Sequence, residues 1–389
     1  MAQAALNRDT APPVLALVAA APPSAPSQVQ ASESKVAGKY PWIVNPAIDL
    51  LFCCGGIVWI LFAVHWLFLG PNGGSGTALG QMLAICTIAG THALGETHIA
   101  ATLARVYKTP QSAAKFKPYT SWVAYACIGL AVAGLFVQGI TPILAKIYLI
   151  WVAQHFTAQT YGLTLMYLYK GNYQVGWLQK HLLKLLMTAT AAFAILRQFT
   201  YKEWNPDGFL AQHIPFWGPL PESIIHVCNY VLVFSAIGFG LCVLKKLVME
   251  RQMIPFPALL MVATGVLIFV LGKDITGVFF LYAPAFYHGS QYVVLSIAYY
   301  LKESGLTDTV PRANFGKLLL QSPGVRYQGL LLLLAATIYI GVPRLLSEFG
   351  FSYTLSFATI FVAVNLHHFI TDQAIWKLRD PEVRRNMLA

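Results

Sequence analysis

Six of the ten histidines fall inside long apolar stretches: His92, His98, His155, His288, His367 and His368. Imidazole ligates metals and moves protons near neutral pH. Inside a bilayer such a ring is expensive, and it faces the bundle interior or a cavity. Most of these histidines have a polar companion one helical turn along. Glu96 follows His92 by four, Gln159 follows His155 by four, Gln291 follows His288 by three, and Asp372 follows His368 by four. Positions three or four apart share a helix face. A companion there can accept the second ring N–H and set the tautomer that turns a lone pair toward a metal. Glu96 and Asp372 are the only acids well inside the apolar runs and can also serve as ligands. His65, His181, His213 and His226 lie near helix ends or in loops.

Helical angles narrow the set. His92 and Glu96 differ by about 40° around a helix, whereas His92 and His98 differ by about 120°. His98 instead shares its face with Thr102 and Arg105, so one metal is not expected to take both His92 and His98. The adjacent rings of His367 and His368 are about 100° apart, so one of the two is expected to ligate. The leading ligands, and the catalytic set, are therefore His92, His155, His288 and His368. Glu96, His98, His367 and Asp372 are left as ligands of a second metal or as groups that orient the first set. A mononuclear four-histidine site and a dinuclear site both fit. The bland alternative is that these are polar residues joining helices. Their shared depth, derived below, weighs against it.

Other strings carry less. The His92–His98 spacing is not the HExxH of zinc proteases, and it misses the HxxxxH box of membrane desaturases by one residue. His367-His368-x-x-x-Asp372 matches a string of soluble condensation enzymes, but in an apolar helix. No GxSxG nucleophile elbow is present. The six cysteines form no CxxC pair and read as small buried hydrophobes. Gly90, Gly95, Gly129 and Gly134 read as helix-packing sites, and Tyr287, Tyr292, Tyr299 and Tyr300 as cavity-lining, packing or interfacial aromatics.

The elements that position these residues follow from composition. The chain has 389 residues, 57% hydrophobic and 11% charged, with mean hydropathy +0.60. A soluble domain carries about 25% charged residues, so a soluble enzyme is excluded. Residues 50–95 hold no Asp, Glu, Lys or Arg. About 20 residues cross the hydrocarbon core, so that run is a hairpin turning at Pro71-Asn72-Gly73-Gly74. The remaining runs give an all-α polytopic transmembrane bundle of about ten helices, near 48–69, 78–105, 119–138, 143–169, 181–198, 222–244, 255–271, 275–301, 327–345 and 352–377. With a cytoplasmic N-terminus, inside segments hold 21 Lys and Arg and outside segments 5, which supports both termini on the cytoplasmic side. The net charge of +11 is then a lipid-facing loop property rather than a nucleic-acid footprint. Residues 1–39 form an Ala/Pro-rich tail expected to be disordered, and 40–389 a single transmembrane domain. Val14–Ala21 resembles a short signal core, but the preceding Pro12 and Pro13 argue against cleavage. In this topology His92, His155, His288, His367 and His368 lie within roughly 5 Å of one depth near the midplane, with His98 about 9 Å nearer the cytoplasm.

The order of blocks resembles a group of uncharacterised histidine-rich polytopic bacterial membrane proteins. The blocks are Asn45-Pro46-x-x-Asp49-Leu50-Leu51, a His followed by Thr102-x-x-Arg105-x-Tyr107, His155-x-x-x-Gln159-x-Tyr161-Gly162, His288-x-x-Gln291-Tyr292 and His367-His368-x-x-x-Asp372. In architecture the chain is similar to the Brp/Blh-type β-carotene 15,15′-dioxygenases, although their Pro-His-Gly and His-Asp strings are missing. The resemblance implies iron and a lipophilic substrate, and it transfers no catalytic residue.

The expected function is an integral-membrane non-haem iron oxidoreductase or oxygenase, acting on a carotenoid, an acyl chain or a quinone-like ring. Imidazole with carboxylate suits iron. Its place is the bilayer of a bacterial inner or internal photosynthetic membrane. One alternative is a haem- or chlorophyll-binding redox or pigment protein, with paired histidines as axial ligands. Another is a proton-coupled transporter using Glu96, His98 and Asp372. The transporter reading predicts broken helices or inverted repeats, and neither is evident in the sequence.

Overall fold

A computed structural model describes residues 42–69, 77–271, 278–307 and 314–388. The tail 1–39, the turn at Pro71–Gly74 and Lys273 lie outside the described residues. Among the described residues every regular element is helical. The principal helices are α1 (Pro46–Cys53), α2 (Gly56–Leu69), α3 (Ala78–Tyr107), α4 (Pro110–Lys115), α5 (Tyr119–Phe136), α6 (Ile140–Lys170) and α7 (Trp177–Thr200). They continue as α8 (Glu222–Met249), α9 (Phe256–Val270), α10 (Val278–Glu303), α11 (Phe315–Leu320), α12 (Ser322–Glu348), α13 (Tyr353–Ile375) and α14 (Pro381–Leu388).

Six of these helices, α3, α5, α7, α8, α12 and α13, are long and apolar enough to cross a membrane, and α1 with α2 makes a seventh if the bent pair is one span. That is fewer than the ten spans expected from the apolar runs, and the shortfall has a physical cause. At 1.5 Å per residue, the 15 residues of α9 reach about 22 Å, short of a core of about 30 Å. Helices α6 and α10 are too polar to qualify because their polar groups point into protein. Lys146, His155, Thr157, Thr160 and Thr164 are buried on α6, and His288, Ser290, Gln291 and Ser296 on α10. The outer helices show the converse. On α8, Val227, Phe234, Ile237, Leu241 and Leu244 are all more than half exposed. Apolar surface on this scale is unstable in water and is matched by acyl chains. The protein is an integral membrane protein.

The packing order places α3 against α10 and α12, α6 against α7, α9 and α13, and α13 against α5 and α6. Thus α3, α6, α10 and α13 surround one interior.

The chain enters this interior through a break that the sequence did not suggest. Helices α1 and α2 meet at a bend of 58°, and Gly55 supplies the left-handed backbone there (φ 84°). A Cβ at Gly55 would meet Thr264 Cγ2 at 2.6 Å, so a larger residue is also excluded by space. The freed carbonyls find partners. Ser290 Oγ donates to Phe52 O (3.0 Å), Gln291 Nε2 to Cys53 O (2.9 Å) and Thr264 Oγ1 to Cys54 O (2.9 Å). Unwound backbone at membrane depth requires such partners.

Upstream, the Asn45-Pro46-x-x-Asp49 block starts the helix. Asn45 Oδ1 accepts from Ile48 N at 2.8 Å, an N-cap followed by Pro at the first helical position. The fully buried Asp49 carboxylate accepts from Ile43 N (2.6 Å), Val44 N (3.1 Å) and Tyr167 Oη (2.9 Å). Asp49→Ala strands three buried donors. We expect it to lower unfolding stability by roughly 3 kcal/mol or more, read as a large drop in the thermal midpoint in detergent. An unchanged midpoint would show that water replaces the carboxylate.

Candidate metal centre

Helices α3, α6, α10 and α13 each bring one imidazole to a common point. His98, His155, His288 and His368 present ligand nitrogens that all lie within 4.8 Å of one another. His98 Nε2 lies 3.1 Å from His368 Nε2 and 3.2 Å from His288 Nε2, and His155 Nε2 lies 3.1 Å from His368 Nε2. Ring centroids are 4.6–4.9 Å apart around the sequence His98, His288, His155, His368. None of the four rings exceeds 5% exposure.

The chemistry of this arrangement is restrictive. A neutral ring nitrogen has one in-plane direction, holding either a proton or a lone pair. His98 Nε2 and His368 Nε2 each touch two other ring nitrogens, so mutual hydrogen bonding would need a shared, three-centre bond at both. Four lone pairs directed at one centre are satisfied together by a cation. The residues therefore fit a metal on donor chemistry alone.

Hydrogen bonds assign one tautomer. Trp376 Nε1 can only donate, and it donates to Tyr292 Oη (2.8 Å). With Asp372 ionised, Tyr292 spends its one proton on Asp372 Oδ1 (2.7 Å). Thr102 must then donate to Tyr292 (2.6 Å), so Thr102 Oγ1 accepts from His368 Nδ1 at 2.9 Å. His368 thus carries its proton on Nδ1 and turns the Nε2 lone pair inward. This is the outer support that fixes metal-binding imidazoles. Two other rings are held by stacking: Phe156 on His288 (4.2 Å, 24°) and Phe369 on His155 (4.4 Å, 29°).

The expected site residues divide. The structure brings His155, His288 and His368 together, and with them His98. It does not bring His92. That ring is 45% exposed, and its Nδ1 pairs with Glu96 Oε1 at 2.7 Å on the outer side of α3. His92 and His98 do face differently, as the helical angle requires, but His98 holds the inner face. Depth counted from a helix start misled here. Helix α3 has 30 residues, about 45 Å, and must tilt or overrun a core of about 30 Å. Equal residue counts from its start therefore do not mean equal depth. His367 also points away, with its Nε2 3.0 Å from Tyr119 O. Asp372 reaches the cluster only through Tyr292 and Thr102. The two glutamines do not hold rings. Gln159 Nε2 donates to Gln291 Oε1 (2.9 Å) and His288 O (3.2 Å), joining α6 to α10.

Trp376, Phe156 and Phe369 were not expected; Tyr292 was read as a cavity-lining, packing or interfacial aromatic, and Thr102 only as sharing the face of His98. Three signals were present in the spacing: Thr102, Tyr292 and Trp376 stand four residues after His98, His288 and Asp372.

Close approach of α3 and α10 lets His98 meet His288. A Cβ at Gly289 would lie 2.9 Å from both Gly95 N and Leu94 C, which are backbone atoms that cannot step aside. Gly90 and Gly134 are tight as well, against Phe286 and against Thr141 and Thr359, whereas a Cβ at Gly129 meets nothing within 4 Å.

Set against family models, curated proteins and solved structures, the chain matches none of them. Fold and site together define an all-helical integral membrane protein with a buried four-histidine cluster.

Gly289→Ala is expected to cost about 1–3 kcal/mol by overpacking, while Gly129→Ala leaves the thermal midpoint nearly unchanged. Equal midpoints for the two variants would contradict the close contact.

Proposed function

We propose that the four-histidine cluster is a metal centre, that the metal is iron, and that the protein is a membrane oxidoreductase acting on a lipophilic substrate. The observation that carries this reading is the convergence of four buried ring nitrogens to within 4.8 Å of one another. When bound, iron supplies one-electron chemistry and dioxygen activation. A donor set of imidazole without thiolate favours iron over the soft metals. The chain's own residues then hold, orient and balance. His98, His155, His288 and His368 hold the ion. Thr102 keeps the His368 proton on Nδ1. Four neutral imidazoles leave the charge of a divalent ion uncompensated, and Asp372 is the buried carboxylate joined to them by hydrogen bonds. His155 and Asp372 also line a cavity of about 180 Å³, which gives the site a way in.

Haem fits this geometry less well. An axial histidine pair leaves the equatorial positions to the porphyrin, and here two further imidazoles occupy that space. The broken first helix is the feature that a transporter predicts, yet the carbonyls it frees accept from Ser290, Gln291 and Thr264 and are not left open for an ion. Ten spans with both termini cytoplasmic, in a bacterial inner or internal membrane, remain the arrangement that the Lys and Arg distribution favours.

Elemental analysis of detergent-purified protein tests the proposal. We expect close to one iron per chain, its loss in His98→Ala and its retention in His92→Ala. Thr102→Val should weaken metal affinity by about 10–100-fold. A metal-free wild type, or unchanged metal in His98→Ala, overturns the reading. A Soret band would replace it with the haem alternative.

A further inference from the structure

The cavity beside the cluster has a shape that selects its ligand. Along α6 it is lined by His155, Ala158, Gly162 and Met166. From His155 to Met166 is 11 residues, about 16 Å of helix. A volume of about 180 Å³ lined over that length makes a tube with room for one alkyl chain. Its far wall is apolar: Leu295 of α10, and Val383 and Met387 of α14, all three buried. Helix α14 is held in place from outside by Lys115 Nζ, 3.0 Å from Asp380 and 3.1 Å from Glu382.

The near end differs. There the lining is His155, Gln159, Asp372 and Gln373. Ala158 and Gln373 are exposed, so the tube is open sideways at this level, between α6 and α13. The neighbouring exposed residue on α6 is Gln154, so the mouth of the tube is polar. A polar mouth over an apolar bore suits a molecule with one polar end and one hydrocarbon end.

We propose that this tube binds an unbranched amphiphile, a straight hydrocarbon chain of on the order of ten carbons with an uncharged hydroxyl at one end. The chain lies along α6 toward Met166, and the hydroxyl lies at Asp372, beside His155. Asp372 already accepts from Tyr292 through Oδ1, and a carboxylate has acceptor capacity left for a second donor. A hydroxyl donates to it. A charged end group would have to shed its water in this buried place, at far greater cost than a hydroxyl. Gly162 is part of the fit. A Cβ there meets nothing within 4 Å, so the missing side chain leaves the tube open rather than relieving a contact. The site deepens the proposed function, because it names the substrate class of the same centre and rests on that reading for its chemistry.

The test uses full-length protein in phosphatidylcholine vesicles and a ten-carbon straight-chain alcohol carrying a mid-chain diazirine. After irradiation, labelled peptides are mapped by mass spectrometry, and metal is measured in the same samples. We expect labelling of 158–166 and of 372–387, displaced by decan-1-ol at least tenfold more effectively than by decanoate. Gly162→Leu and Ala158→Trp, which fill the tube and its opening, should each reduce that labelling tenfold or more and leave metal content unchanged. Because Ala158 is exposed, the second variant keeps the test informative if the first fails to fold. Label spread over outward α8 with none on these segments overturns the proposal, as does equal labelling in the variants. Tube labelling in a metal-free protein upholds the binding site and defeats the metal reading. Metal without tube labelling does the reverse.

Discussion

Four imidazole nitrogens that face one another in a buried space can pair only through shared bonds, and the rest of the structure is arranged around that fact. Each nitrogen offers one in-plane direction. Two of them touch two neighbours at about 3.1 Å. Bringing such groups together without compensation costs several kcal/mol in a medium of low dielectric. The four helices that carry them must therefore be held firmly from outside the cluster.

The supports differ in kind. Between α3 and α10 it is the absence of a side chain at Gly289 that sets the distance. For His155 and His288 it is an aromatic ring lying nearly parallel. For His368 it is a hydrogen-bonded line through Thr102 and Tyr292 to Asp372, in which each donor is assigned by the next. Arg105 adds a further layer, lying over the rings of Tyr299 (3.9 Å) and Trp376 (4.1 Å). Trp376 thereby links the Asp372 line to the helix that carries His98. The broken entry of the first helix belongs to the same frame. Its freed carbonyls accept from Ser290 and Gln291, which lie two and three residues past His288, so the loop at Gly55 steadies the α10 segment that bears the ligand.

Polarity is inverted relative to a soluble protein. The helices that fail the test for a membrane span by composition, α6 and α10, stand next to the site, and the most apolar of the six candidate spans, α8, stands outside. His92 and Glu96 show the other exception, an ionisable pair on the outer side of α3, satisfied by each other at 2.7 Å.

Much was legible from the chain alone. Apolar runs located the long helices, because a backbone surrounded by hydrocarbon has no alternative to helical hydrogen bonding. The cost of burying imidazole marked His155, His288 and His368 as interior, and the i+4 rule paired His92 with Glu96. Sequence spacing also separated His92 from His98 by face. It was silent on which face turns inward, since a helix can rotate and tilt without changing its sequence. That choice was made by tertiary packing. Gly289 admits the backbone at Gly95, and this seats His98, not His92, against His288. The same holds for Asp372, whose distance from the cluster depends on where Tyr292 and Thr102 of two other helices stand. Local periodicity fixes which residues travel together; contact between distant helices decides where they arrive.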